Sequence, residues 1–208
     1  MNLALDVIIT ITLVTVFCVS HSFLASNKVK LAFQKRFGSL IAFYRLGYNI
    51  ISIVSFIIIY SLLPKIDFVL YDLPNPYDLI ILFLQMLSFL GLLWCAKYFS
   101  GMEFLGLSQV KRYLTGNYNQ NDIDEKSELR IEGPYKYSRN PVYFFSIMFL
   151  LIRPFMGLTY LIIVVIFVLY FYIGSVFEEK RLVEKFGEEY INYQKTVPRI
   201  FPIKINKA

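Results

Sequence analysis

Histidine, cysteine and charge are scarce in this chain of 208 residues, which has one His, two Cys and one Trp, with Asp, Glu, Lys and Arg together at 17%. The cysteines, Cys18 and Cys95, each lie inside an apolar block with no CxxC pair and no clustered histidine, so the pattern offers neither a zinc site nor a disulfide framework. Both read as reduced core residues. The low charge argues against a soluble globular enzyme, and 20 Phe with 16 Tyr argue against disorder, which requires little apolar surface. Hydrophobic residues make up 57% and aromatics 18%, the composition of a membrane protein.

The apolar residues fall in blocks rather than at every second position, which predicts an all-α polytopic protein and no sheet. The blocks run from Leu3 to Cys18 (interrupted by Asp6), Tyr48 to Leu63, Leu79 to Cys95, Val142 to Ile152 and Phe155 to Val176. Arg153 and Pro154 between the last two predict a tight helical hairpin, with Gly157 easing the turn. Five transmembrane helices result. The fourth covers only about 18 Å against roughly 30 Å of hydrocarbon, which implies local thinning of the bilayer or cover from its neighbours.

Charge sets the expected orientation. With five spans, every Lys and Arg except Lys65 and Arg153 falls on one side, and the opposite loop carries Asp67, Asp72 and Asp78. The positive-inside rule then puts the N-terminus outside and the C-terminus in the cytoplasm, with the plasma membrane of a bacterium as the expected location. The first block lacks a basic flank and a clean small-x-small site, so it is expected to be retained. The net charge of +6 is accounted for by loops facing an anionic leaflet and calls for no nucleic acid.

Chemistry is expected in the two long cytoplasmic stretches, 97–139 and 177–208. Within the first, Thr115 to Glu128 reads as a polar, exposed connection. Gly133-Pro134-Tyr135-Lys136-Tyr137-Ser138-Arg139-Asn140-Pro141-Val142-Tyr143 reads as a turn into a helix, with Asn140 at the N-cap and Pro141 at the first helical position. It serves either as a cap with interfacial tyrosines or as an anion pocket of helix amides beside Arg139 and stacking rings. Glu178 and Glu179 follow the fifth block, where they suit ribose hydroxyls or an ammonium group, or equally surface pairing with Arg181 and, from Lys180, with Glu184. Leu182, Phe186, Tyr190 and Tyr193 predict an amphipathic continuation of that helix past the membrane.

These motifs resemble the integral-membrane methyltransferases related to isoprenylcysteine carboxyl methyltransferase, a group that also includes methanethiol S-methyltransferase and NnrU-like proteins. The resemblance rests on GPYKYSRNPVY at 133–143, the hairpin after it and FEEKRLVEKFGEEYINYQKTVPRIFP at 177–202. HSFLAS at 21–26, YRLGYN at 44–49 and GMEFLGLSQV at 101–110 point more loosely to the thiol-methylating and NnrU-like branch. The resemblance implies S-adenosylmethionine at the cytoplasmic face, between the 133–143 segment and the end of the fifth helix. It implies cofactor binding by Tyr137, Arg139, Asn140, Pro141, Tyr143, Glu178 and Glu179. Where this chain has Asn140 the commoner residue is His, which removes a titratable imidazole from that position.

Methyl transfer from a sulfonium is an in-line displacement that needs alignment and exclusion of water, with no metal required. A thiol acceptor must also lose a proton, and His21 and Arg139 are the catalytic candidates. The expected protein is one membrane domain, 1–208, with an N-terminal helix pair over 1–77 and a methyltransferase-like core over 78–208. Its partners are the bilayer and a small thiol or lipophilic acceptor. A carboxyl or lipid methyltransferase is the alternative, and a non-enzymatic transport or accessory protein the second; Asp6 is the one acid well inside an apolar span.

Overall fold

The computed structural model describes residues 2–119 and 129–203, so nine residues of the Thr115–Glu128 connection and the tail beyond Ile203 lie outside the described residues. In chain order the elements are α1 (Leu3–Ala25), α2 (Asn27–Phe37), a 3-10 turn (Gly38–Phe43), α3 (Tyr44–Leu62), β1 (Val69–Asp72) and α4 (Tyr77–Ala96). Next come α5 (Gly101–Leu105), α6 (Leu107–Leu114), a second 3-10 turn (Gly133–Lys136), α7 (Pro141–Leu151), β2 (Phe155–Gly157), α8 (Leu158–Phe186) and α9 (Glu188–Thr196). Four helical stretches among the described residues are long and apolar enough to cross a membrane: α1, the stretch Asn27–Leu62 that ends in α3, α4 and α8. The protein is therefore mostly helical and built for a bilayer. α7 is apolar but has only 11 residues.

Packing divides the chain into two compact units, residues 1–64 with 99–128 and residues 65–98 with 129–208. In the first unit α1 lies against α3, where Phe17 meets Phe56 edge-on at 5.4 Å and the Tyr44 hydroxyl donates to the Leu24 carbonyl at 2.6 Å. The three looser motifs converge there. Arg45 Nε and Asn49 Nδ2 both donate to the Phe104 carbonyl, at 3.1 and 3.0 Å. Gly106 links α5 to α6 with φ +88°, and a Cβ on it would run into the backbone at Arg45 and Leu46, so only glycine allows the approach. Glu103 receives two hydrogen bonds from Arg112, and these chiefly hold its carboxyl below the usual carboxylate range.

In the second unit α4 packs along α7. A Cβ on Gly91 would occupy the ring of Phe145, so this glycine sets how closely the two helices lie. Gln85 Nε2 donates to the Phe149 carbonyl at 2.9 Å. The expectation of no sheet needs correction, because β1 and β2 form an antiparallel ribbon pairing Val69 with Gly157, Tyr71 with Met156 and Asp72 with Phe155. Pairing overrides the apolar pattern at Phe155–Gly157, so α8 begins at Leu158, three residues later than the apolar block. Two further backbone bonds tie the ribbon's ends: Leu73 N–H donates to the Pro154 carbonyl at 3.0 Å and Leu158 N–H to the Phe68 carbonyl at 2.9 Å. The Arg153 guanidinium lies over the Tyr160 ring at 4.0 Å.

α8 extends over 29 residues, about 43 Å at the rise of an α-helix, which carries its polar end well past an apolar span. The continuation is not one helix. Gly187, at φ +56°, ends α8 and starts α9, which turns Tyr190 and Tyr193 into the core.

Candidate functional site

The site is built on the second unit, where the segment 137–143, the end of α8, α9 and the chain after α9 meet. Residues 138–140 run beside 198–199: Arg139 N–H donates to the Pro198 carbonyl and Asn140 N–H to the Arg199 carbonyl, both at 2.9 Å. Tyr193 hydroxyl fastens α9 to the 3-10 turn through the Tyr135 carbonyl at 2.5 Å. Burial pushes the Tyr135 phenol up to about 12 and raises Tyr193 as well, so both stay protonated.

The adjacent carboxylates Glu178 and Glu179 have different environments. Glu179 is 3% exposed and accepts from Arg139 Nε at 2.8 Å and Nη2 at 3.0 Å, Asn140 Nδ2 at 3.3 Å, Gln194 Nε2 at 3.1 Å and Arg199 Nε at 3.1 Å. That fills the acceptor capacity of a carboxylate. Arg139 is committed as well, since its Nη1 donates to the carbonyls of Gln194 at 2.8 Å and Val197 at 2.6 Å. The pair therefore clasps the post-α9 chain onto α8 and α7. Tyr190, fully buried beside it, has a phenol raised by burial first and by the Glu179 charge second.

Glu178 is exposed and accepts from the Tyr143 hydroxyl at 2.9 Å. The Tyr143 ring is stacked on Phe171 of α8 at 5.4 Å and 15°, which fixes the hydroxyl that meets Glu178. Tyr137, 61% exposed, presents its ring at the surface of the same segment.

Asn140 occupies the N-cap position of α7, but its side chain does not cap. It is buried, and its Nδ2 donates instead to Glu179 and, at 3.1 Å, to the Arg199 carbonyl. Pro141 is the first residue of α7 and is buried. Gln194 and Arg199 are the participants that sequence reading missed. Arg199 stands in the Pro-Arg-Ile-Phe run of the 177–202 motif, and a lone Arg after the last helix of a chain with a buried acid was the available signal.

On the other face of α7 lies an apolar cavity of about 210 Å³. Trp94 of α4 and Tyr137 line it side by side, their rings tilted at 51° with centroids 6.4 Å apart, and Phe144, Phe145 and Pro202 are among its other walls.

His21 belongs to the first unit. Ser52 Oγ donates its one proton to the Tyr48 carbonyl at 2.8 Å, so it meets His21 Nδ1 at 3.0 Å as an acceptor. The ring proton is thereby assigned to Nδ1, and Nε2 accepts from the Tyr48 hydroxyl at 2.6 Å. His21 joins α1 to α3.

The family pattern of the phospholipid methyltransferases matches residues 86–189, half of the chain, and spans Tyr137 through Glu179. The chain belongs to the phospholipid methyltransferase family. Over nearly its whole length the chain is also similar to methanethiol S-methyltransferase 1 of Bradyrhizobium diazoefficiens, 27% identical across 94% of this chain and 67% of the relative. It is similar to methanethiol S-methyltransferase of Pseudomonas deceptionensis, 29% identical across 95% of this chain and 73% of the relative. Methanethiol S-methyltransferase of Crocosphaera subtropica is 24% identical across 97% and 76%. No solved structure matches. The protein is an integral membrane methyltransferase, and Tyr137, Arg139, Asn140, Pro141, Tyr143, Glu178 and Glu179 fall within the matched residues, whereas Gln194 and Arg199 lie beyond them.

Proposed function

We propose that this methyltransferase takes its methyl group from S-adenosylmethionine and delivers it to a small thiol. The observation that carries the reading is the division of labour in the acidic pair: Glu179 is saturated by Arg139, Asn140, Gln194 and Arg199, while Glu178 is left at the surface beside Tyr143. An exposed carboxylate held beside the Tyr143 hydroxyl fits the ribose hydroxyls or the ammonium group of the cofactor, and the exposed ring of Tyr137 fits a face of its base. The chemistry supplied by bound S-adenosylmethionine is an activated methyl on a sulfonium centre. The chain's own contribution is to orient that group and exclude water, with Glu178, Tyr143 and Tyr137 as contacts and Arg139, Asn140 and Glu179 holding the segment that carries them.

The thiol is preferred because all three relatives are named for methanethiol. A lipid or isoprenylcysteine-like carboxyl acceptor is the second reading, favoured by the family's phospholipid description. With both ring nitrogens engaged, His21 serves as a fastener of α1 to α3, and work as a base requires release of Nε2 from Tyr48. His21→Ala then lowers stability at every pH; a thiol turnover defect that recovers toward the thiol pKa of about 8.5 assigns it the base role instead.

On this reading the core over 78–208 carries the site at the cytoplasmic side of a bacterial inner membrane, with the N-terminus outside and α7 and α8 as an inserted hairpin; the excess of Lys and Arg in the loops assigned to that side supports it. Reporter fusions at the two ends test that topology. The central test is calorimetric titration of the purified, detergent-solubilised protein with S-adenosylhomocysteine. Saturable binding is expected, and its absence ends the reading.

A further inference from the structure

The cavity between α4 and α7 has no part in the contacts described for the acidic pair. Tyr143 turns toward α8, whereas Phe144 and Phe145 turn toward this space. Its walls are aromatic rings and prolines with no charged side chain, and of its two hydroxyls, those of Tyr137 and Ser138, the Ser138 hydroxyl already donates to the Arg199 carbonyl at 3.2 Å. A charged occupant, or a purine with several ring nitrogens and an amino group, would lose more hydration there than the Tyr137 hydroxyl and the Trp94 indole N–H restore. The volume of about 210 Å³ is of the order that admits a benzene-sized molecule, for which about 150 Å³ of apolar cavity suffices. A prenyl or acyl chain is far larger. The position is also defined, because Pro134, Tyr137 and Pro141 of the cofactor-associated segment form one side.

We infer that this cavity is the seat of the acceptor and that it selects short, uncharged alkyl thiols and the thioethers made from them. The inference rests on the methyl-transfer reading and adds the substrate class and the residues that set it. Phe145 is the size gauge: Gly91 leaves room for its ring on the α4 side, so the ring stands as a fixed wall. Trp94, the chain's one tryptophan, makes the site directly observable.

The test is Trp94 fluorescence of the protein in lipid nanodiscs, titrated with alkane thiols of increasing length and with adenosine, alongside calorimetry with S-adenosylhomocysteine. A saturable response is expected that is strongest for ethanethiol and propanethiol and falls off by octanethiol. Phe145→Ala is expected to move the optimum to longer thiols, by about tenfold in apparent affinity per added methylene accommodated. Phe145→Leu, a milder change, should move it in the same direction, and retained S-adenosylhomocysteine binding certifies that each variant is folded. A response that climbs steadily with chain length in wild type and variants alike reports partition into lipid and overturns the inference. Saturation by adenosine in place of thiols overturns it and gives the cavity to the purine. If S-adenosylhomocysteine binds while thiols leave Trp94 unchanged, the acceptor seat is wrong and the S-adenosylmethionine reading stands; if thiols bind saturably and S-adenosylhomocysteine does not, the cofactor reading fails and takes the acceptor assignment with it.

Discussion

Arg139 and Glu179 meet in a two-point ion pair, Nε to Oε1 at 2.8 Å and Nη2 to Oε2 at 3.0 Å, with both side chains withdrawn from solvent. A carboxylate placed this way holds a structure together, while its exposed neighbour Glu178 meets the Tyr143 hydroxyl at the surface. The two glutamates therefore separate by experiment. Glu179→Ala leaves Arg139 buried without its partner, a loss of about 3–5 kcal/mol, and is expected to lower the unfolding temperature sharply. Glu178→Ala is expected to unfold as wild type and to bind S-adenosylhomocysteine about tenfold more weakly, the scale of one charged hydrogen bond. Thermal unfolding and calorimetry on the same samples check both.

Asn140 gives a graded series. Asn140→Leu removes the bonds to Glu179 and to the Arg199 carbonyl and is expected to cost about 1–3 kcal/mol. Asn140→His retains one ring donor and is expected to fall between leucine and wild type. Pro141 preserves the helix start in each variant, so a change in cofactor affinity beyond the stability order would reveal contact with the ligand.

Two glycines should respond in opposite directions. Gly106→Ala meets both a positive φ and the backbone at Leu46, and a loss of about 1–3 kcal/mol is expected. Gly47 sits within α3 with nothing near its absent Cβ, so Gly47→Ala should raise stability by about 0.5–1 kcal/mol. Differential scanning fluorimetry of the pair in one detergent is sufficient.

Glu103 gives a pH signature. Arg112 lowers its carboxyl pKa in the folded protein, so the folded state binds that proton less readily than the unfolded chain does. The resulting stabilisation is complete above the ordinary carboxylate pKa of about 4.3 and is lost as pH falls through the lowered value. Unfolding temperatures measured from neutral to acid pH should drop less steeply in Glu103→Gln, which lacks the titration.

The apolar blocks made the long helices legible, since in a bilayer the backbone has to satisfy itself and a long apolar run has few alternatives. Phe155–Gly157 was not legible, because three apolar residues ahead of a helix read as its first turn until Val69–Asp72 offers them a partner. The candidate site was half visible. Motif order brought Arg139, Tyr143, Glu178 and Glu179 into view, yet neighbours in sequence sit about 100° apart on a helix, and spacing alone does not say which one faces the core. For Glu179 that was decided by Gln194 and Arg199, contributed from beyond Gly187, where the break in the helix reverses the chain.

The ribbon of β1 and β2 bears on how the protein tolerates its surroundings. A helix of 11 residues reaches only about 16 Å, so the connection after α7 comes to lie at whatever depth the local bilayer dictates. Phe155–Gly157 of that connection pair with Val69–Asp72, and Pro154 and Leu158 bond to Leu73 and Phe68, so these peptide groups carry their partners with them at any depth. The ribbon thus closes one end of α7 with its own hydrogen bonds, as the Arg139–Glu179 clasp closes the other.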